Sequence, residues 1–116
     1  MTTYTPLRLA GPAQLTTSAT AVYTVGTTGS PSATAAVVKQ IVFNNTTSSS
    51  VNVSAHLLPV SASAGAANQI ITNLTVAPNS QIIWSADLAL VTGEKLSLLA
   101  ATGTAVTYVV NGIEIV

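Results

Sequence analysis

Between Val51 and Leu57 the chain alternates strictly, with Val51, Val53, Ala55 and Leu57 on one parity and Asn52, Ser54 and His56 on the other. A period of two marks a strand with one face buried. The preceding segment, Ala35–Asn45, places Val37, Ile41 and Phe43 on one side and Val38, Gln40 and Val42 on the other. Both of its faces are largely apolar, which predicts a central strand or a strand with one face against another chain. Between these runs lie Thr46, Thr47, Ser48, Ser49 and Ser50. That polar tip predicts a long hairpin over Ala35–Pro59, around which the rest of the chain is organised.

The same reading continues outward. Thr2–Leu9 contains β-formers interrupted by Pro6, which cannot donate to a ladder. It is either an edge strand or, as part of residues 1–12, an extended arm lying on a neighbour, and Gly11-Pro12 ends it. Ala19–Val25 is a short strand with Tyr23 and Val25 on one parity, and Gly26–Ser32 is a loop. Val60–Ala67 is a loop or one weak helical turn. Gln69–Ala77 is a strand with Ile70, Leu74 and Val76 inward, followed by a turn at Ala77-Pro78-Asn79-Ser80. Gln81–Ser85 is a short strand, Thr92–Lys95 a turn, and Leu96–Ala100 a strand whose Thr102-Gly103-Thr104 exit closes a hairpin. In the last strand Val106, Tyr108 and Val110 share one parity and Ile113 and Ile115 the other. A bulge at Asn111-Gly112 would keep all five on the inner face.

No segment has helical periodicity. Eight short strands separated by Gly, Pro and Asn turns predict one antiparallel β-sandwich domain over residues 1–116, jelly-roll-like, with an immunoglobulin-like order as the other topology. The predicted core is Val37 or Val38 with Ile41, Phe43, Val53, Leu57, Leu74, Val76, Leu96, Leu98, Val106 and Tyr108.

Charge changes this picture. Only 5% of residues are charged, against roughly 25% in an ordinary soluble domain. Arg8, Lys39 and Lys95 balance Asp87, Glu94 and Glu114. Nucleic acid is not an expected partner, because phosphate neutralisation takes clustered cations. So few charges protect a free monomer poorly against association, which predicts a surface largely covered by protein. Met1–Leu9 does not read as a secretory signal, and no run reaches the roughly 18 apolar residues of a membrane helix. Aromatic residues, at 4%, are too scarce for the girdles of a membrane barrel. No membrane association is expected.

Little of the sequence suggests chemistry. His56 is the only histidine and there is no cysteine, so neither a metal site nor any other cofactor is expected. On its strand His56 belongs to the polar face, exposed or at an interface. Asp87 and Glu94 are close enough in sequence to suggest the paired carboxylates of a glycosidase, but read better as solvating charges. Enzyme activity is not expected. Sequons at Asn44, Asn45, Asn52 and Asn73 are what so Ser- and Thr-rich a chain contains by chance. Trp84 is an interface or core anchor; stacking of an oligosaccharide on Trp84, Tyr23 or Tyr108 is the alternative. In the N-terminal segment Tyr4, Leu7 and Leu9 offer apolar surface to a partner, so Tyr4, Leu7, Leu9 and Trp84 are the expected protein contacts.

The runs YTPLRLAGPAQL, YTV, VVKQIVFNNTT and GEKLSLLAATGTAVTYVVNGIEIV together resemble small β-sandwich structural proteins of tailed bacteriophage virions. The resemblance is one of texture over most of the chain, without a defining motif. It implies a virion location and a non-enzymatic role, first as a capsid decoration (cement) protein bound to the major capsid protein, otherwise as a tail, collar or fibre component. It also implies a homo-oligomer, with a trimer favoured. A carbohydrate-binding adhesion module is the competing class.

Overall fold

A computed structural model describes residues 2–116. Its strands are β1 (Tyr4–Gln14), β2 (Thr20–Thr24), β3 (Ala35–Asn45), β4 (Val51–Leu58), β5 (Gln69–Val76), β6 (Gln81–Val91), β7 (Lys95–Ala100) and β8 (Val106–Ile115), and a single 3-10 turn covers Ala66–Asn68. They form two four-stranded antiparallel sheets, ordered β1-β8-β3-β6 and β2-β7-β4-β5. This is the jelly-roll order. The pairs β1·β8, β2·β7, β3·β6 and β4·β5 make one long ribbon folded back at residues 59–68. That ribbon rolls up so that β3·β8 and β4·β7 close the sheets.

The hairpin expected over Ala35–Pro59 is therefore not one. β3 and β4 belong to different sheets, and residues 46–50 carry the chain across the sandwich. The polar tip satisfies backbone at that corner. Asn45, 1% exposed, donates from Nδ2 to the carbonyls of Ser49 (2.7 Å) and Val76 (3.1 Å), and its Oδ1 accepts from Thr47 N and Oγ1 (2.9 and 2.7 Å). The exit at residues 101–105 is likewise a crossing from β7 to β8, with Thr46 N donating to the Ala105 carbonyl at 2.9 Å. The true bend follows β4 and contains the helical turn at Ala66–Asn68.

Two strands are longer than the pattern predicted. β1 runs through Gly11-Pro12 to Gln14, and β6 continues past Ser85 to Val91. Both are sheet edges, where a strand absorbs proline and irregular spacing because one side of its backbone has no ladder to keep.

Val38, Ile41, Phe43, Val53, Val76, Leu96, Leu98 and Val106 are buried as expected, and are joined by Leu9, Leu15, Tyr23, Ile71, Leu90 and Val110. Leu57, Leu74 and Tyr108 are only partly buried. In β5 the parity changes because an extra residue opposes Val53–Ala55, where Asn73 takes φ 49°. Ile71, not Ile70, is thereby brought inward beside Val76.

The bulge expected at Asn111-Gly112 lies on its neighbours instead. β8 keeps one inward parity through Val110, Gly112 and Glu114. Extra residues occur on β3 at Lys39, on β6 at Ala86 and Asp87, and on β1 at Leu9. Gly112 is inward because the sheet closes tightly there. A Cβ at that position would collide with the Val37 carbonyl and lie 2.8 Å from Leu9 Cδ1. Ile113 and Ile115 consequently face outward, half-buried.

Candidate interaction surface

The outward residues of the β1-β8-β3-β6 sheet fall into rows that cross all four strands. Tyr4, Ile115, Ala35 and Val91 are cross-strand partners, and so are Pro6, Ile113, Val37 and Ala89. Apart from the Tyr4 hydroxyl, these two adjacent rows contain no polar side-chain group. Tyr4 is 66% exposed and Val91 57%. The next outward row, Arg8, Asn111, Gln40 and Ser85, is polar. Asn111 Nδ2 donates to Gln40 Oε1 at 2.9 Å, and beside them the bulged Lys39 and Asp87 pair at 2.6 Å. Val109, Val42 and Ile83 then form another apolar row, with Ile83 52% exposed. Gln14, Thr107, Asn44 and Gln81 close the face with polar groups.

The outer face of the other sheet differs. Its cross-strand sets are Thr75 with Asn52, Ser54 with Leu99, and Gln69 with His56 and Ser97, and Thr75 Oγ1 donates to Asn52 Oδ1 at 2.8 Å. An antiparallel sandwich ordinarily turns polar residues to water on both sides. Here the outward set of one sheet is mostly polar, with Ser54, His56 and Ser97 buried, and the other sheet presents Tyr, Ile, Val, Pro and Ala.

The expected contact residues separate on this frame. Tyr4 stands on the apolar outer face. Leu7 is inward and half-buried, opposite Gly112. Leu9 is 4% exposed and part of the core, so it is a packing residue and not a contact. It shares the inward parity of Leu7, two residues before it. Trp84 pairs with the buried Ile41 and packs partly against the core from β6, an inner-face position that offers no flat outer platform for a sugar. Tyr23 is fully buried and Tyr108 partly so. The N-terminal segment is an edge strand, with Tyr4 opposite Ile115 and Thr3 and Val116 exchanging backbone hydrogen bonds of 2.8 and 2.9 Å.

The carboxylates have separate local partners. Asp87 pairs with Lys39, and Glu94 Oε1 accepts from Val91 N at 2.9 Å. His56 is 6% exposed, not on open surface, and its Nδ1 has no hydrogen-bond partner. Its strand is central in its sheet, and the 3-10 turn packs against that strand. The pattern along the chain did not single out Glu114. It is 3% exposed, accepting from the Tyr23 hydroxyl at 2.7 Å on Oε2 and from Ser30 N at 3.3 Å on Oε1. Burial, with the Glu114 hydrogen bond and charge added, pushes the Tyr23 phenol well above its ordinary value. Its inward parity with Val106 and Val110 is the signal that places Glu114 inside. Among the described residues no group of three or more His, Asp or Glu side chains is arranged to hold a metal.

No protein-family model, curated protein or solved structure matches this chain.

Proposed function

We propose that this chain is a non-enzymatic structural subunit of a virion, and in its most specific form a capsid decoration protein that binds and stabilises the shell. The observation that carries the reading is the pair of apolar rows crossing the outer face of the β1-β8-β3-β6 sheet. Contiguous exposed apolar surface on a small domain marks a place where protein is received. With 5% of residues charged, attachment depends on apolar burial and main-chain hydrogen bonding, with little long-range steering. The jelly roll is a fold of viral capsid and lectin domains, an analogy of architecture alone. The textural resemblance to phage structural proteins selects the virion from that pair.

Mass spectrometry and imaging of gradient-purified particles test the reading. The expected result is many copies distributed over the shell, retained at molar salt, because screening weakens charge contacts but not hydrophobic ones. Absence from the particles overturns it. A few copies at one vertex would move the protein to the tail or collar.

A further inference from the structure

The strand order that builds the apolar face also makes it self-complementary. We propose that a second copy of this chain packs against the outer face of the β1-β8-β3-β6 sheet, across a two-fold axis that runs along the strands between β8 and β3. This rests on the reading above that the face is covered by protein within an assembly; it gives the face to a second copy, so that the dimer meets the shell through its remaining surface.

A rotation about that axis exchanges β8 with β3 and β1 with β6, and leaves each residue at its own height along the sheet. Apolar rows therefore meet apolar rows. Ile113 comes over Val37 of the second copy, and Tyr4 over Val91. The polar row meets its own equivalent in the same way. Arg8, on the β1 edge, comes over the β6 edge, where Asp87 lies on the bulge next to Ser85. The charge left over by the Lys39–Asp87 pair is thus set against the opposite charge twice, once on each side of the axis. An axis at right angles, along the rows, would instead stack Arg8 on Arg8.

Size and symmetry agree. Four strands at ~4.8 Å spacing and ten residues of length give a face of roughly 600 Å² in projection. Side-chain relief enlarges it toward the about 800 Å² per partner of a standard interface. Packed sheets with aligned strands are also an ordinary solution for two inner faces. A two-fold contact needs one patch that matches itself, whereas a three-fold ring needs two unlike patches. The outer face of the other sheet, with Asn52, Thr75, Gln69 and Ser97, is not a second apolar patch.

The test is light scattering and sedimentation of the full chain from micromolar to 100 micromolar. Twice the chain mass is expected. Val37→Glu should raise the dimer dissociation constant at least ~10-fold while leaving the β-sheet circular dichroism in place. Ala89→Glu, at an exposed edge-strand position, makes the same test should Val37→Glu not fold. Arg8→Asp and Asp87→Arg should each weaken the dimer, and the double swap should restore it. A monomer at 100 micromolar, a trimer, a dimer indifferent to both glutamate variants, or no restoration by the double swap overturns the proposal. A monomer that still decorates particles removes this inference alone. A dimer absent from particles leaves it standing and removes the virion reading.

Discussion

The Tyr23 hydroxyl donates a 2.7 Å hydrogen bond to Glu114 Oε2, and the two residues belong to opposite sheets, Tyr23 on β2 and Glu114 on β8. Tyr23 is fully buried and Glu114 nearly so. The bond therefore joins the sheets through otherwise apolar packing, where a lone carboxylate would be costly. Gly29 permits it: with φ 82°, it lies where any Cβ would collide with the carboxylate.

Removing the donor should leave that carboxylate short of a partner. Tyr23→Phe is expected to destabilise by about 1–3 kcal/mol, more than the loss of a typical neutral hydrogen bond. Urea denaturation of the variant against wild type measures it, and an unchanged midpoint would mean that the pair contributes nothing.

The same contact sets an alkaline limit. Burial raises the Tyr23 phenol first, and Glu114 adds to it, so in the folded state Tyr23 keeps its proton above the pH at which an unfolded tyrosine loses it. The unfolded chain then binds fewer protons than the native one, and stability must fall as pH rises. The loss begins near pH ~10, the ordinary tyrosine value, and proceeds at up to about 1.4 kcal/mol per pH unit. Below that, Tyr23 contributes no pH dependence. Denaturation midpoints measured between pH 8 and 11 should show the decline, and Tyr23→Phe should flatten it. Tyr108 is raised by burial too and retains part of the slope.

The corner residue Asn45 uses both ends of its amide. Asn45→Ala removes four hydrogen bonds made by a buried side chain, and about 2–4 kcal/mol is expected, given about 1 kcal/mol per typical bond. Asn45→Asp should be no better, because a carboxylate oxygen would then face the Ser49 and Val76 carbonyls. Thermal melts of both variants check this, and near-native stability of the aspartate variant would contradict the assigned donor geometry.

Gly112 and Gly65 form a matched pair for the close-approach argument. A Cβ at Gly112 meets the Val37 backbone and Leu9, whereas one at Gly65 has nothing within 4 Å. Gly112→Ala should cost about 1–3 kcal/mol or more, since β3 and β8 must separate to admit it, and Gly65→Ala should stay within about 0.5 kcal/mol. Equal effects would show that the sheet closes less tightly at Gly112.

How much of this was legible depends on whether a feature lies within one strand or between strands. The alternation from Val51 to Val53 to Ala55, and from Leu96 to Leu98 to Ala100, gives the inward face correctly because those stretches run without insertion. Sheet assignment is not a property of one strand. The Thr46–Ser50 tip reads as a hairpin because nothing local distinguishes a turn within a sheet from a crossing between sheets. The irregularities at Leu9, Lys39 and Asp87 escape for a related reason: each is an extra residue relative to a neighbouring strand, β8 for Leu9 and Lys39 and β3 for Asp87, and is defined by the register between strands. Ile113 and Ile115 carry the clearest lesson. Two apolar residues on the outward parity look like a phase error in a strand meant for the core. Here the phase is regular, and the irregularity is the surface itself. His56 fails in the opposite sense, since its parity is outward and the layer above its strand is invisible in the alternation.

The N-terminal strand provides the last prediction, because the two roles the sequence allowed for it part on truncation. A separate arm could be deleted without harm to the domain. An edge strand could not: removing residues 2–9 strips the Thr3–Val116 hydrogen bonds, uncovers the β8 backbone from Ile115 to Asn111, and takes Leu9 from the core. Leu9 alone, nearly fully buried, should cost about 2–5 kcal/mol when replaced by alanine. Truncation should therefore lower stability by more than Leu9→Ala does, whereas Leu74→Ala, at a half-buried position, should cost less. Tyr4→Ser, whose side chain lies outward, should leave stability within about 0.5 kcal/mol and weaken association. Guanidinium titrations of the truncated chain and the three point variants, with parallel light scattering, separate the roles. Native stability after truncation would make the segment an arm after all.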